Sequence, residues 1–336
     1  MINNLTIVVA ARNAPLNNIL IAVTDSVFPS LDPAIEILSE IDASVELAKD
    51  SSREAILEVA REAQGLMVTF AQIDRSIIEE LSECRVIGRF GIGVDNIDID
   101  AATSAGIQVC YVPDYCLDEV SDHAMALLLS LARKVTYGNS LVQSGRWEGK
   151  AVAPLWRLRG RTLGLVGLGK ISQALVPKAL AMGFKIIAHD PYIDSGVAAS
   201  LGVELVEFAA LLEQSDCVSI HAPLTAETEN LFDRNAFEKM RPGALLINTA
   251  RGPLVNEWAL AEALDDGRIA GAALDVLPSE PPPSDCPLLN RDNVILTPHT
   301  AYYSEDALLD LQTKAASDVA SVLCGRTPKY PFNRIA

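Results

Sequence analysis

Three polar side chains stand just past short apolar runs in the second half of the chain. Arg251 follows ALLINTA, Glu280 comes a few residues after AALDV, and His299 follows VILTP directly. An imidazole titrates near neutrality, so it can take the proton of a hydroxyl and return it. A carboxylate beside the ring holds it in place and favours its charged form. A guanidinium presents a planar fork to a carboxylate and polarises a neighbouring carbonyl. Together these three types suit the interconversion of an alcohol and a carbonyl next to an acid group. Plainer readings stand beside this one: Arg251 as a surface arginine flanking a helix, and Glu280 as a solvated loop acid beside Pro281, Pro282 and Pro283. His123, His189 and His221 compete for the acid/base role, the first inside a helical stretch and the others at or near strand ends. His299 is preferred because it follows Thr297-Pro298 in a tight turn and shares its edge with an arginine and a glutamate.

A second group of residues suits a dinucleotide. The strand-like LGLV runs into Gly167-Leu168-Gly169-Lys170-Ile171-Ser172, and a helical stretch follows. In the G-x-G-x-x-G pattern the first glycine permits the tight turn and the second lets backbone N–H groups approach a pyrophosphate. The third allows close helix–strand contact. Here serine occupies the third place, and a glycine turn of purely structural purpose is the competing reading. The next strand-like run, KIIAHD, ends in Asp190, 23 positions after Gly167. An acid at that spacing accepts hydrogen bonds from ribose hydroxyls and repels a 2′-phosphate, which favours NAD over NADP.

The elements that must carry these residues alternate between strand and helix from end to end, the mark of parallel sheets with crossover helices. Strands are expected near 19–25, 45–48, 66–70, 85–89 and 108–112, then near 162–167, 185–190, 217–222, 244–249, 272–276 and 294–297. Five followed by six predicts two doubly wound parallel sheets. The spacing predicts a long helix over Leu117–Lys134, acidic in its first turn and basic in its last, leading from one domain to the other. Another helix is expected over Ser304–Leu323; packed back on the first sheet, it would make the first domain discontinuous. The expected division is 1–115 with 302–336, and 116–301.

With 336 residues, the chain is long enough for two such cores. Its 27 Lys and Arg against 44 Asp and Glu give a net charge of −17, which repels phosphate backbones and argues against nucleic-acid binding. No apolar run is long enough for a membrane helix. The N-terminus lacks a basic leader and is not read as a signal peptide. Six cysteines without a C-x-x-C pair read as buried thiols of a reducing cytoplasm, and no metal site is expected.

The chain resembles the D-isomer-specific 2-hydroxyacid dehydrogenase family. The motifs that carry the resemblance are Gly91-Ile92-Gly93-Val94-Asp95-Asn96-Ile97-Asp98, the GLGKI loop, HDPY, INTARG, LDVLPSEP and TPHTAYYSE, spread over 19–325. VPDYCLDEVSDHA and TPHTAYYSE look most similar to bacterial relatives of its C-terminal-binding-protein branch. The resemblance implies two Rossmann-like domains: a discontinuous substrate domain and an NAD-binding domain. It implies Arg251, Glu280 and His299 as the catalytic set and the backbone of Gly91, Ile92 and Gly93 as a substrate-carboxylate loop. Around the cofactor it implies Thr249, Ala250 and Asp275 near the nicotinamide; Gly167, Gly169, Lys170, Ile171, Asp190 and His221 complete the expected cofactor set. A homodimer with 118–134 in its interface is implied too. The Glu–His pairing, where the formate branch has Gln–His, argues against formate. No regulatory domain follows the last helix, so feedback control of the serine-biosynthesis kind is not expected.

The substrate expected is a small or medium unphosphorylated 2-keto acid, reduced to the D-hydroxy product. Between Leu66 and Asp74 there is no lysine or arginine to meet a phosphate, and Phe70 adds apolar bulk to the Thr69-Phe70-Ala71-Gln72 segment. Tyr302 and Tyr303 could add an aromatic wall. An NAD(H)-sensing binding protein of the C-terminal-binding-protein type is the alternative function, and oxidation of a non-carbon substrate such as phosphite on the same fold is a third.

Overall fold

The computed structural model describes residues 19–335; the 1–18 segment, read above as no signal peptide, lies outside them. The chain forms two compact units, one running up to Pro113 and resuming at Leu308, the other spanning Asp114–Ala307.

The first unit carries β1 (Ile19–Val23), β2 (Ala43–Leu47), β3 (Gly65–Val68), β4 (Val86–Arg89) and β5 (Gln108–Cys110), all parallel, in the order β2-β1-β3-β4-β5. Its central strands read as unbroken apolar runs because helices cover both faces of a parallel sheet. β3 and β4 are buried at every position. The C-terminal helix, Glu305–Leu323, packs Val319 onto these two strands. The approach depends on glycine: a Cβ on Gly88 would stand 2.5 Å from Val319 Cγ2.

The second unit carries β6 (Thr162–Val166), β7 (Lys185–His189), β8 (Glu204–Leu205), β9 (Cys217–Ile220), β10 (Ala244–Asn248), β11 (Ile269–Leu274) and β12 (Val294–Leu296). All run parallel in the order β12-β11-β10-β9-β6-β7-β8, so the sheet has seven strands where the sequence predicted six. The unexpected one, β8, is a two-residue edge strand of only partly buried side chains, too short to show a period. The order reverses between β6 and β9, and the crevice past their carboxyl ends is where such sheets bind ligands.

The long helix covers Leu117–Ala132 and stops short of the predicted end. Lys134 takes a left-handed conformation, φ 51°, and a separate helix, Val135–Gln143, begins behind it. The basic residues therefore fall past the last turn and not inside it. Leu127, Leu128 and Leu131 of the long helix join Leu163, Leu165, Ile247 and Ala273 of the sheet in one buried cluster. Gly271 gives Leu131 its room, since a Cβ there would lie 2.8 Å from Leu131 Cδ1.

Overpacking at such a contact costs about 1–3 kcal/mol. Gly88→Ala should therefore lower stability by about that amount in urea unfolding, because Val319 must move and its helix with it. A midpoint equal to wild type would show that this helix does not depend on the close approach.

Candidate active site

One register row crosses six strands of the second sheet: Leu296, Leu274, Asn248, Ile220, Val166 and His189 are paired neighbour to neighbour. Because every strand is parallel, the next residue on each lies at the carboxyl edge. These residues are Thr297, Asp275, Thr249, His221, Gly167 and Asp190. Four of the six have side chains that take part in the hydrogen-bond networks described below, and every motif singled out in this half of the chain starts from this row.

At the β6 end, Gly167 has φ 91° and its Cα lies against the chain leaving β9. A Cβ there would stand 3.0 Å from the His221 carbonyl and the Ala222 nitrogen. The helix Lys170–Ala181 starts at Gly169 with no side-chain cap, so Lys170 and Ile171 open it with their N–H groups unengaged by a capping side chain. A Cβ on Gly169 would meet nothing within 4 Å. Ser172, in the place of the third glycine, is fully buried and donates from Oγ to the Gly167 carbonyl at 2.7 Å, so it supports the turn. Asp190 Oδ2 accepts from Leu168 N at 2.8 Å and Oδ1 from Tyr192 N at 2.9 Å, which fixes the carboxylate beside the glycine turn. Farther along the row, Thr249 Oγ1 is buried and has no hydrogen-bond partner among the described residues. An uncapped helix start over open space, a fixed acid and an orphaned hydroxyl fit a dinucleotide laid along this edge.

At the β10–β12 end the three chemical side chains gather. Asn248 folds the chain after β10: its Oδ1 accepts from Ala250 N at 3.0 Å and its Nδ2 donates to the Arg251 carbonyl at 2.8 Å. Gly252 then passes so close to Leu277 that a Cβ would lie 2.0 Å from that carbonyl carbon, which brings Arg251 beside the loop carrying Glu280. Asn248 and Gly252 were missed as functional residues, although both flank the TA-R segment in the sequence. Arg251 Nη1 donates to the Ala250 carbonyl at 2.8 Å. Glu280 Oε1 accepts from Leu277 N at 3.0 Å, and its Oε2 pairs with His299 Nδ1 at 2.7 Å. Burial pushes the Glu280 carboxyl up, but the hydrogen bond and charge of His299, the Leu277 amide and the Arg251 charge outweigh it and hold it below the ordinary 4.5. His299 has φ 51°, a left-handed conformation uncommon outside glycine.

Asp275, 2% exposed, is engaged by the turn that carries His299. Its carboxylate accepts from Thr297 Oγ1 at 2.5 Å, Thr300 N at 3.0 Å and Ala301 N at 2.8 Å. The competing histidines have other partners. His189 Nδ1 meets the Val206 carbonyl at 3.1 Å, His221 Nε2 meets Ser219 Oγ at 2.9 Å, and His123 Nε2 meets Thr297 Oγ1 at 3.0 Å. Burial lowers the His221 pKa to about 4, so its ring is neutral at pH 7.

Gly91, Ile92 and Gly93 belong to the first unit, following β4. Gly91 has φ 154°, and a Cβ on it would strike the Arg89 guanidinium at 2.2 Å. Asn96, in the same segment, donates to the Thr69 and Ala71 carbonyls at 3.3 and 2.8 Å, tying the glycine segment to the loop after β3.

Residues 125–301 match the family model of the D-isomer specific 2-hydroxyacid dehydrogenase NAD-binding domain. The chain is 41% identical over 315 residues to a D-3-phosphoglycerate dehydrogenase of Methanocaldococcus jannaschii, covering 93% of this chain and 59% of that protein. A D-3-phosphoglycerate dehydrogenase of Archaeoglobus fulgidus is 37% identical over 306 residues, covering 91% of this chain and 58% of the relative. The chain thus spans about three fifths of the length of these two curated relatives. Neither is a C-terminal-binding protein, so the branch suggested by the motifs gains no support from them. The D-lactate dehydrogenase of Aquifex aeolicus, solved with NAD and lactic acid, superposes with a TM-score of 0.83 at 25% identity, covering 91% of this chain and 96% of that one.

A histidine held neutral by burial contributes stability that is complete above its unfolded pKa and declines as pH falls toward its folded one. For His221 that window runs from 6.5 down to about 4. Urea unfolding of wild type and His221→Asn across this range should show the wild-type advantage shrinking with pH. An advantage constant across the window would mean that the folded ring protonates freely.

Proposed function

The chain belongs to the D-isomer specific 2-hydroxyacid dehydrogenases, and from that membership we propose that it is an NAD-dependent oxidoreductase interconverting a small unphosphorylated 2-keto acid and the D-2-hydroxy acid. The observation that carries this reading is the His299–Glu280 pair at 2.7 Å, beside Arg251, on the sheet edge that also holds the glycine turn. With Nδ1 bonded to Glu280, proton exchange falls to Nε2 of His299. In reduction the ring starts as imidazolium, stabilised by the carboxylate, and gives its proton to the carbonyl oxygen of the substrate. In oxidation the neutral ring takes the hydroxyl proton back. Arg251 binds the substrate carboxylate and polarises C2 for attack. NAD(H), when bound along this edge, would supply or receive the hydride at that carbon. The same reading gives Gly167, Gly169, Lys170 and Ile171 to the pyrophosphate, Asp190 to the ribose, and His221, Thr249, Ala250 and Asp275 to the remaining cofactor edge. In the first unit it gives the Gly91–Gly93 backbone to substrate binding.

Support for an unphosphorylated substrate comes from the loop after β3. The loop itself has no cation and Phe70 is 43% exposed, while the Arg89 guanidinium 5.9 Å from its ring centroid is buried and donates to the Phe90 carbonyl. The names of the two archaeal relatives favour the opposite, a phosphorylated hydroxy acid, and this is the reading against which the proposal must be tested.

A homodimer is the second part of the proposal. Trp147 and Trp156 of the second unit are 88% and 63% exposed, and Val135 and Val142 also face outward. Trp156 also lines a cavity of about 780 Å³, together with Leu131, Tyr137, Pro154 and Leu158 and with the charged Lys134, Arg161, Asp216 and Arg241. Large apolar side chains left exposed in this segment support an association site there.

Removing a general acid/base costs about 10² to 10⁴ in rate. His299→Ala should lose kcat on that scale with NADH affinity largely retained. The decisive measurement is NADH consumption with pyruvate, hydroxypyruvate, glyoxylate, 2-ketobutyrate and 3-phosphohydroxypyruvate. A clear preference for the phosphorylated acid would overturn the substrate assignment, and no turnover with any of them would favour the NAD(H)-sensing alternative. For the dimer, sedimentation of wild type should give twice the chain mass, and Trp147→Asp with Trp156→Asp should give a monomer. A monomeric wild type would end that part of the proposal.

A further inference from the structure

His299 occupies a left-handed conformation after Pro298, and this costs free energy that its surroundings must supply. The surroundings are a turn wrapped on Asp275. The His299 N–H donates to the Asp275 backbone carbonyl at 2.8 Å, while Thr300 N and Ala301 N donate to the two carboxylate oxygens. A carboxylate with 1% of its side chain exposed must be matched by donors, and this turn provides them.

The turn is also held from outside the sheet, by the helix Leu117–Ala132. His123 Nε2 lies 3.0 Å from Thr297 Oγ1 and 3.5 Å from Asp275 Oδ1. Thr297 has a single hydroxyl proton, and at 2.5 Å from a carboxylate that proton goes to Asp275. Its oxygen is then an acceptor for His123, which sets the ring with hydrogen on Nε2. One turn earlier on the same helix face, Glu119 Oε1 accepts from Ser304 Oγ at 2.7 Å. The helix is itself tied to the helix Lys170–Ala181, where Lys178 Nζ reaches the Asp118 carbonyl at 3.3 Å, Ser121 Oγ at 2.7 Å and Asp122 Oδ1 at 2.6 Å. The helix that opens at the glycine turn and the turn that carries His299 are thus braced by one element.

We propose that His123 is a positioning residue: its Nε2–H, passed through the Thr297 hydroxyl to Asp275, fixes the 297–301 turn that sets His299 against Glu280. This rests on the reading of His299 as the acid/base. His123 touches neither reacting atoms nor Glu280, and acts through Thr297.

The test compares His123→Phe, which keeps a ring and removes the donor, with His123→Gln, whose amide can donate to Thr297. Displacing a catalytic group by about 1 Å can cost on the order of a hundredfold. His123→Phe should therefore lose about tenfold to a hundredfold in kcat, with NADH affinity by fluorescence close to wild type, and His123→Gln should recover most of the loss. Thr297→Val cuts the same link from the other side and serves if His123→Phe does not fold. The double variant should lose no more than the worse single one, since both break one connection. Proton NMR gives a readout apart from turnover: the hydrogen-bonded ring proton of His299, identified by its loss in His299→Ala, should broaden in His123→Phe and return in His123→Gln. Wild-type kcat in His123→Phe with that resonance intact would overturn the proposal, and so would additive losses in the double variant. Should wild type turn over none of the 2-keto acids, the dehydrogenase reading falls. The resonance then still decides whether His123 positions the turn.

Discussion

A buried carboxylate must be surrounded by donors, and Asp275 meets this demand by shaping the end of the second sheet around itself. It sits one residue past β11, between β10 and β12, with 2% of its surface exposed. No lysine or arginine is paired with it among the contacts described. Instead it draws in two backbone amides and a hydroxyl from the chain leaving β12, and that chain cannot satisfy it without bending sharply after Leu296. The bend places Pro298 and His299, and the left-handed φ of His299 is the local cost of closing it. Remove the carboxylate and the turn has no reason to close in this form. Glu280 could then still be present, but its partner would not be aimed at it.

Close backbone approach is the second constraint, and it is met by glycine at the positions where no other residue fits. Gly252 lies against the Leu277 carbonyl and Gly167 against the His221 carbonyl, so neither position admits a side chain. These two contacts draw loops from different strands together along one edge. The first places Arg251 next to the Glu280 loop, and the second sets the glycine turn against the chain leaving β9, where strand order reverses. Their role is to set distances that the sheet register alone would leave open.

Much of this was legible in the sequence, for identifiable reasons. Parallel strands buried on both faces leave apolar runs that stand out, and the residue following each run is placed at the carboxyl edge by register alone. Arg251, Glu280 and His299 could therefore be grouped before any coordinates, as could the glycine turn and Asp190. What failed was local. β8 is two residues long and only partly buried, so no period betrayed it. The helix end at Ala132 was placed too late because Arg133 and Lys134 look like a basic last turn, whereas Lys134 reverses the chain. Ser172 showed in the sequence only as a substitute for the third glycine, and its hydrogen bond to Gly167 shows it as a support of the turn. His123 stood in the sequence only as a helical competitor for the acid/base role, because its partner lies 174 positions away. The substrate was least legible, since spacing in a sequence says nothing about the volume that side chains leave between them.

The energetics of the His299–Glu280 pair argue that it exists for orientation. The two side chains are 26% and 38% exposed, and ion pairs this open to solvent are worth about 0–1 kcal/mol. A contribution that small would not repay a left-handed backbone, a buried carboxylate and a threonine hydroxyl committed to one turn, if stability were the only consequence. The direction of the Glu280 pKa points the same way. Burial raises it, and the His299 ring, the Leu277 amide and the Arg251 charge together bring it below the ordinary value. The hydrogen bond to Oε2 of Glu280 fixes which ring nitrogen of His299 faces the carboxylate, at 2.7 Å from Nδ1. The geometry leaves Nε2 as the ring nitrogen on the far side from that anchor. A histidine without such an anchor would sample several ring orientations, whereas here Nδ1 is held on Glu280 and the ring keeps one.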